Sequence, residues 1–291
     1  MSSVISYSVG NGDMFTINHN TPNFTIIDCC INDDREMEIL ESIVNGVTGK
    51  EVIRFISTHP DDDHLRGIDI LDDALHFANF YCVRNSVSKN DDTDSFKRYC
   101  QLRDSDKAFY VYKNCARKWL NRKSEERGSA GLSFLWPDIN NQEFKEVLAS
   151  ANKGESPNNI SPIVQYNSGS ANFLWMGDLE TDFLESIEES ITIPKVSVLF
   201  APHHGRDSGK IPDSILTKMN PQILVVGEAL SQFLNYYDGY NTITQNSAGD
   251  IVFECRKGKI HIFTSNGYEV EFLENEQWEL EGYNYIGSLD V

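Results

Sequence analysis

Val52-Ile-Arg-Phe-Ile-Ser-Thr-His59-Pro-Asp61-Asp62-Asp63-His64 is the stretch on which the reading of this 291-residue chain turns. Its first half, rich in β-branched and aromatic residues, predicts a buried strand, and it empties directly into His59, Asp61, Asp63 and His64. Imidazole nitrogens and carboxylate oxygens hold zinc, manganese or iron, and a sharp loop after the strand would turn these groups inward. The plainer reading is a solvated acidic turn, since Pro-Asp-Asp-Asp is also surface-loop chemistry. Two further clusters weigh against it. Trp175-Met-Gly-Asp178 ends one apolar run, and Pro202-His203-His204-Gly205 follows another. Each alone reads as a turn or a surface pair, but polar clusters that each cap a buried strand are how a site is assembled at a sheet edge. His19, His76 and His261 stand outside such company and read as structural.

Upstream, Val4 to Val9 and Met14 to Ile17 flank the turn Gly10-Asn-Gly-Asp13, and Phe24-Thr-Ile-Ile-Asp28 follows, which predicts a β-meander. Met37, Ile39, Leu40, Ile43, Val44 and Val47 then recur at helical spacing, predicting a helix over 33–47 with Asp33 or Asp34 as its cap. Downstream the pattern predicts helices over 68–75, 142–151 and 182–189. Strands are expected over 77–83, 132–136, 162–166, 172–176, 196–200, 223–226, 250–255 and 259–263. Aromatic and basic residues at roughly helical spacing over 95–127 read as one or two helices, inside an insertion at about 85–130. Strands dominate both ends and helices come singly between them. A four-layer αββα sandwich in a single domain over 1–291 therefore fits better than a doubly wound sheet.

A chain this long with 40% hydrophobic residues buries one large core or at most two, so a globular enzyme is the default class. No apolar run reaches membrane-spanning length and the opening residues lack a signal-peptide pattern, so the expectation is a cytoplasmic protein without a membrane partner. The cysteines at 29, 30, 82, 100, 115 and 255 show no Cys-x-x-Cys spacing and read as reduced and structural. A net charge of −19 argues against a protein that coats nucleic acid non-specifically. The range 95–127 qualifies this: its ten Lys/Arg against four acids give +6, leaving −25 elsewhere.

His59-x-Asp61-x-Asp63-His64 resembles the His-x-His-x-Asp-His signature of the metallo-β-lactamase superfamily, in a variant with Asp at the second place. The ordered set Val9-Gly-Asn-Gly-Asp13, Ile26-Ile-Asp28, the 59–64 cluster, Asn158-Asn-Ile-Ser161, Gly177-Asp178-Leu-Glu180 and Pro202-His-His-Gly205 is similar to the ComEC-type competence hydrolase domain and its stand-alone relatives. The resemblance covers about 4–265, interrupted by the insertion. Leu65-Arg66-Gly67 and Arg206-Asp207 depart from that group's pattern, and Asn158-Asn159 stands where the wider superfamily has a third metal histidine. The resemblance implies two divalent ions, zinc or manganese. His59 and Asp61 with one of His203 or His204 would hold the first, Asp63 and His64 the second, and Asp178 would bridge them. It further implies a water between the ions as nucleophile, which makes Asp63, His64 and Asp178 the catalytic set, with Asp28 and Asn159 as supports behind it.

Phe96, Tyr99, Phe109, Tyr110, Tyr112 and Trp119 are interleaved with the cations of the insertion, the chemistry for stacking bases and following a single strand. Lys113, Arg117 and Lys118 are accordingly the expected substrate-binding cations, the plainer alternative being an amphipathic helix with its Lys/Arg in water. The function expected first is a phosphodiesterase or nuclease acting on a nucleic acid or nucleotide. A carbonyl-ester, lactone or thioester hydrolase of the same fold is second, though such enzymes generally keep the histidines absent here. A sensor or partner-binding module with a degraded metal site is third. The charge asymmetry also permits self-association or a basic protein partner.

Overall fold

A computed structural model describes residues 1–32, 34–90, 93–228 and 236–291. The first part of the chain runs β1 (Ser2–Ser6), β2 (Phe15–Asn18), β3 (Asn23–Ile27), the two-residue β4 (Cys29–Cys30), α1 (Glu36–Gly46), β5 (Val52–Ile56), α2 (Asp62–Leu65), α3 (Ile68–Leu75), β6 (Asn79–Cys82), α4 (Asp94–Arg103) and β7 (Ala108–Tyr110). The second runs β8 (Leu132–Trp136), α5 (Gln142–Ala151), β9 (Ile163–Asn167), β10 (Asn172–Trp175), α6 (Thr181–Ile187), β11 (Val198–Phe200), α7 (Asp213–Met219), β12 (Ile223–Val226), β13 (Thr242–Thr244), α8 (Gln245–Ala248), β14 (Ile251–Arg256), β15 (Lys259–Thr264) and β16 (Asn284–Asp290).

Two mixed sheets result, in the orders β16-β15-β14-β1-β2-β3-β5-β6-β7 and β13-β12-β11-β10-β9-β8. In the first, β1 lies between β2 and β14, with Ser2 opposite Cys255, and β3, β5, β6 and β7 run parallel. Alternation of side chains along each strand decides which face looks inward. Phe15 meets Trp175 and Phe200, Phe173 and Phe200 meet Phe253, and Tyr81 meets Phe134, so aromatic rings interlock the sheets face to face. On the outer face of the first sheet, Phe55 and Phe80 stack and carry Tyr99 of α4. In β8 a register shift between Phe134 and Trp136 turns Trp136 outward onto Phe144 of α5 and Phe183 of α6. The molecule is an α/β sandwich, with helices against both sheets.

Several expectations need correction. The range 95–127 holds one helix, α4, then β7, then irregular turns joined by isolated bridges. Its Phe96 and Tyr99 are core residues. The far half of the insertion lies under the strand starts. The buried Arg54 guanidinium donates to Asn23 Oδ1 (2.6 Å), Thr25 Oγ1 (3.1 Å) and Trp119 O (3.1 Å), and Asn23 donates to Arg127 O (2.7 Å). β13, β16, α7 and α8 fall where no element was expected. The first expected helix begins at Glu36. Asp33 lies outside the described residues, and the cap position is Arg35, which makes no side-chain cap. Among the described residues no helix is long and apolar enough to cross a membrane, and the six cysteines form no disulfide.

Candidate metal centre

β5 delivers Ser57, Thr58 and His59, all buried, and α2 then closes with His64 N donating to Asp61 O at 3.0 Å. Asp28, just beyond β3, is the peg for this loop. Its Oδ1 accepts from Thr58 N (2.8 Å), and its Oδ2 from Thr58 Oγ1 (2.6 Å) and His64 Nδ1 (2.9 Å). With Nδ1 directed at Asp28, His64 turns Nε2 to the centre, 3.0 Å from Asp178 Oδ1. His204 repeats the device. Its Nδ1 lies 3.0 Å from Asp13 Oδ1, while Nε2 lies 3.4 Å from Asp63 Oδ2 and 3.7 Å from Asp178 Oδ2. His59 is oriented by hydroxyls instead, its Nδ1 being 3.1 Å from Thr58 Oγ1 and 3.3 Å from Ser161 Oγ. Its Nε2 stands 3.7 Å from both Asp61 Oδ2 and Asp178 Oδ2.

The loop after β10 brings in Asp178 through Gly177, whose φ is +52°. A Cβ at Gly177 would stand 2.6 Å from Ser161 Oγ and 2.8 Å from Thr58 Cβ, so glycine alone allows the two loops to meet. After β11, His203 and His204 both take left-handed backbone, φ +52° and +55°, which costs non-glycine residues roughly 1–2 kcal/mol each. Strain of this kind collects at functional sites. It is held here by His203 N donating to Gly177 O (3.0 Å) and Gly205 N to Pro202 O (3.0 Å).

His59 Nε2, His64 Nε2, His204 Nε2 and Asp178 Oδ1 are buried and form no well-aligned hydrogen bond, although His64 Nε2 and Asp178 Oδ1 stand 3.0 Å apart as an ion pair. Orphaned polar atoms are costly and rare in native interiors, and here they converge. Asp13, His64, Asp178 and His204 place ligand atoms within 4.8 Å of one another, a buried group able to hold a metal ion. Charge agrees with this. Burial alone would protonate Asp178, but the surrounding His64, His59 and His204 outweigh it and hold the carboxyl well below its ordinary range. Burial likewise works against charge on His204, yet Asp13 and Asp178 lift it to about 10. His64 is raised as well, burial being overcome by Asp178 and Asp28. In His59, burial and then the neighbouring His64 push the imidazole down to about 4. The carboxylates demand positive charge among them.

Of the residues singled out in the sequence, His59, Asp63, His64, Asp178 and His204 come together, with Asp28 directly beneath. Asp61 is partly exposed, and Lys89 Nζ lies 2.9 Å from its Oδ1. His203 stands at the rim, its Nδ1 2.9 Å from Ser208 Oγ and its Nε2 3.4 Å from an Arg206 nitrogen and 3.7 Å from Asp178 Oδ2. Asn159 clamps Glu180, donating to its Oε2 (2.8 Å) and accepting from its N (2.9 Å). His204 Nε2 lies nearest Asp63, at 3.4 Å, and its ring centroid is 5.1 Å from that of His64. The three cations expected to bind substrate each make a contact within the fold. Lys113 donates to Ser190 O (2.7 Å), Arg117 lies 4.8 Å over Phe109 and 5.4 Å over Tyr81, and Lys118 lies 5.4 Å over Trp119. Sequence reading passed over Lys89 and Thr58, met Arg206 only as a departure from the family pattern, and met Asp13 only as the end of the motif Val9-Gly-Asn-Gly-Asp13, without a role. No family model matches the chain, and no curated protein matches it.

Proposed function

We propose that the chain is a metal-dependent hydrolase of the metallo-β-lactamase superfamily, akin to the ComEC-type domain and its stand-alone relatives, and that it cleaves phosphodiesters. The observation that carries this reading is the meeting of loops from both sheets where Asp13, His64, Asp178 and His204 bring ligand atoms within 4.8 Å of one another. The donors fit a divalent ion. His64, Asp178 and His204, with Asp13 within 4.8 Å and Asp63 Oδ2 3.4 Å from His204 Nε2, would hold one ion, and His59 and Asp61 with Asp178 would hold a second. A carboxylate-rich set suits manganese as well as zinc. Bound there, a divalent ion supplies Lewis acidity and an activated water.

The residues of the chain do the rest. Asp28 and Asp13 hold the rings of His64 and His204 with Nε2 toward the centre, and Thr58 and Ser161 aim His59. Ser161 Oγ also accepts from Asp178 N at 3.2 Å, which keeps the shared carboxylate in place. No protein nucleophile is required. Lys89, ion-paired with Asp61 at the near end of the insertion, and Arg206, beside His203, are the cations at the rim, and they are the support for an anionic substrate over a neutral carbonyl compound.

The test is hydrolysis of bis(p-nitrophenyl) phosphate and of labelled single- and double-stranded DNA and RNA with Mn²⁺, Zn²⁺ or chelator, comparing wild type with Asp63→Ala/His64→Ala. Metal-dependent cleavage that vanishes in the double variant is expected. Metal binding without cleavage of any phosphodiester would sink the substrate class and turn attention to carbonyl substrates.

A further inference from the structure

We propose that the two halves of this centre grip metal unequally: Asp63, His64, Asp178 and His204 hold one ion tightly, whereas Lys89 competes for Asp61 and makes an ion at the His59–Asp61 half weak and exchangeable. The inference rests on the hydrolase reading but concerns binding, not turnover.

Three observations carry it. In the tight half, both imidazoles are fully buried and backed by a carboxylate, Asp28 behind His64 and Asp13 behind His204. Such backing fixes the ring and raises its basicity as a ligand. His59 has only hydroxyls behind it.

The second observation is charge. Each remaining candidate donor of the weaker half faces a cation: Lys89 Nζ sits 2.9 Å from Asp61 Oδ1, and an Arg206 nitrogen 3.4 Å from His203 Nε2. A divalent ion entering there must displace the ammonium or lie against it, and like charges a few ångströms apart repel strongly at the edge of a protein. Asn159, beside this half in the sequence pattern, is spent on Glu180 and offers no relief.

The third observation is that Lys89 has somewhere to go. It already lies 5.3 Å from the Phe96 ring centroid. Together with Pro60, Asp62, Leu65, Thr93 and Phe96 it lines a cavity of about 100 Å³ beside the loop. Withdrawal into that space frees Asp61 without unfolding anything.

The experiment is calorimetric titration of chelator-stripped protein with Mn²⁺, with metal content checked by elemental analysis and folding by circular dichroism. Wild type is expected to bind one ion tightly and a second at least about tenfold more weakly. Lys89→Met strengthens the second step about tenfold or more and leaves the first unchanged. Lys89→Arg, which keeps the charge, leaves the second step weak, and Asp61→Asn abolishes it. Two equal steps in wild type, or a second step indifferent to Lys89→Met, would overturn this inference and leave the hydrolase reading standing. Failure to bind any ion would bring down both.

Discussion

His203 and His204 are neighbours in the chain and both take left-handed backbone, but their surroundings part them. His204 is buried with its Nδ1 on Asp13 and its Nε2 among Asp63 and Asp178, while His203 meets Ser208 and Arg206 at the rim. His204→Ala is therefore expected to lose the tightly held ion, and His203→Ala to retain it, as read by elemental analysis after dialysis; equal losses would contradict the assignment. The sequence shows an adjacent pair and nothing to choose between them, because the residue that chooses, Asp13, lies 191 positions away. A second residue-scale expectation concerns His19, which is buried with its Nε2 2.8 Å from Thr25 Oγ1. Burial, then Arg54 and Lys50, hold its pKa well below 6.5. Between that depressed value and 6.5 the unfolded chain takes up a proton that the folded chain refuses, so stability falls as pH drops through this window. At most this costs about 1.4 kcal/mol per pH unit. Denaturant midpoints from pH 7 to pH 5 should fall less steeply in His19→Gln; an unchanged slope would show that His19 is not the group responsible.

At the scale of elements, the strands that build the site were legible because each apolar run ends in a polar cluster, a pattern that burial and sheet-edge loops impose together. Val52–Ile56, Asn172–Trp175 and Val198–Phe200 lie where the pattern put strands. The insertion was not legible for a physical reason. Interleaved aromatic and basic residues suit a helix face, a base-stacking surface or cation–π layers equally well, and only tertiary contact decides between them. In the structure Arg117 lies over Phe109 and Tyr81 and Arg127 lies 4.4 Å over Trp119, the third of these arrangements. Lys89 carries no local signal at all, since its partner Asp61 is 28 residues away. Arg117→Gln is expected to lower stability by about 1–2 kcal/mol in chemical denaturation. It should leave KM for a single-stranded substrate unchanged, as should Lys118→Gln. A rise in KM in either variant would show the insertion to be a substrate surface.

At the scale of the whole molecule, the centre draws on loops of both sheets, so an ion bound there acts as a clip between them. Ligand that binds only the folded state at a hundred times its Kd adds about 2.7 kcal/mol, which raises Tm by roughly 5–10 °C in a protein of this size class. Thermal unfolding with Mn²⁺ and with chelator reads this directly, and superimposable curves would mean that the cluster holds no metal. The same breadth of connection sets the order of events at the ribosome. With Ser2 opposite Cys255, β1 waits for almost the whole chain before its second neighbour arrives. A nascent chain that has made only β1 to β7 therefore exposes an unpaired strand edge, the kind of surface that chaperones cover and aggregation exploits. Slow translation of the middle of the message lengthens that exposure, which makes synthesis rate a determinant of the yield of folded protein.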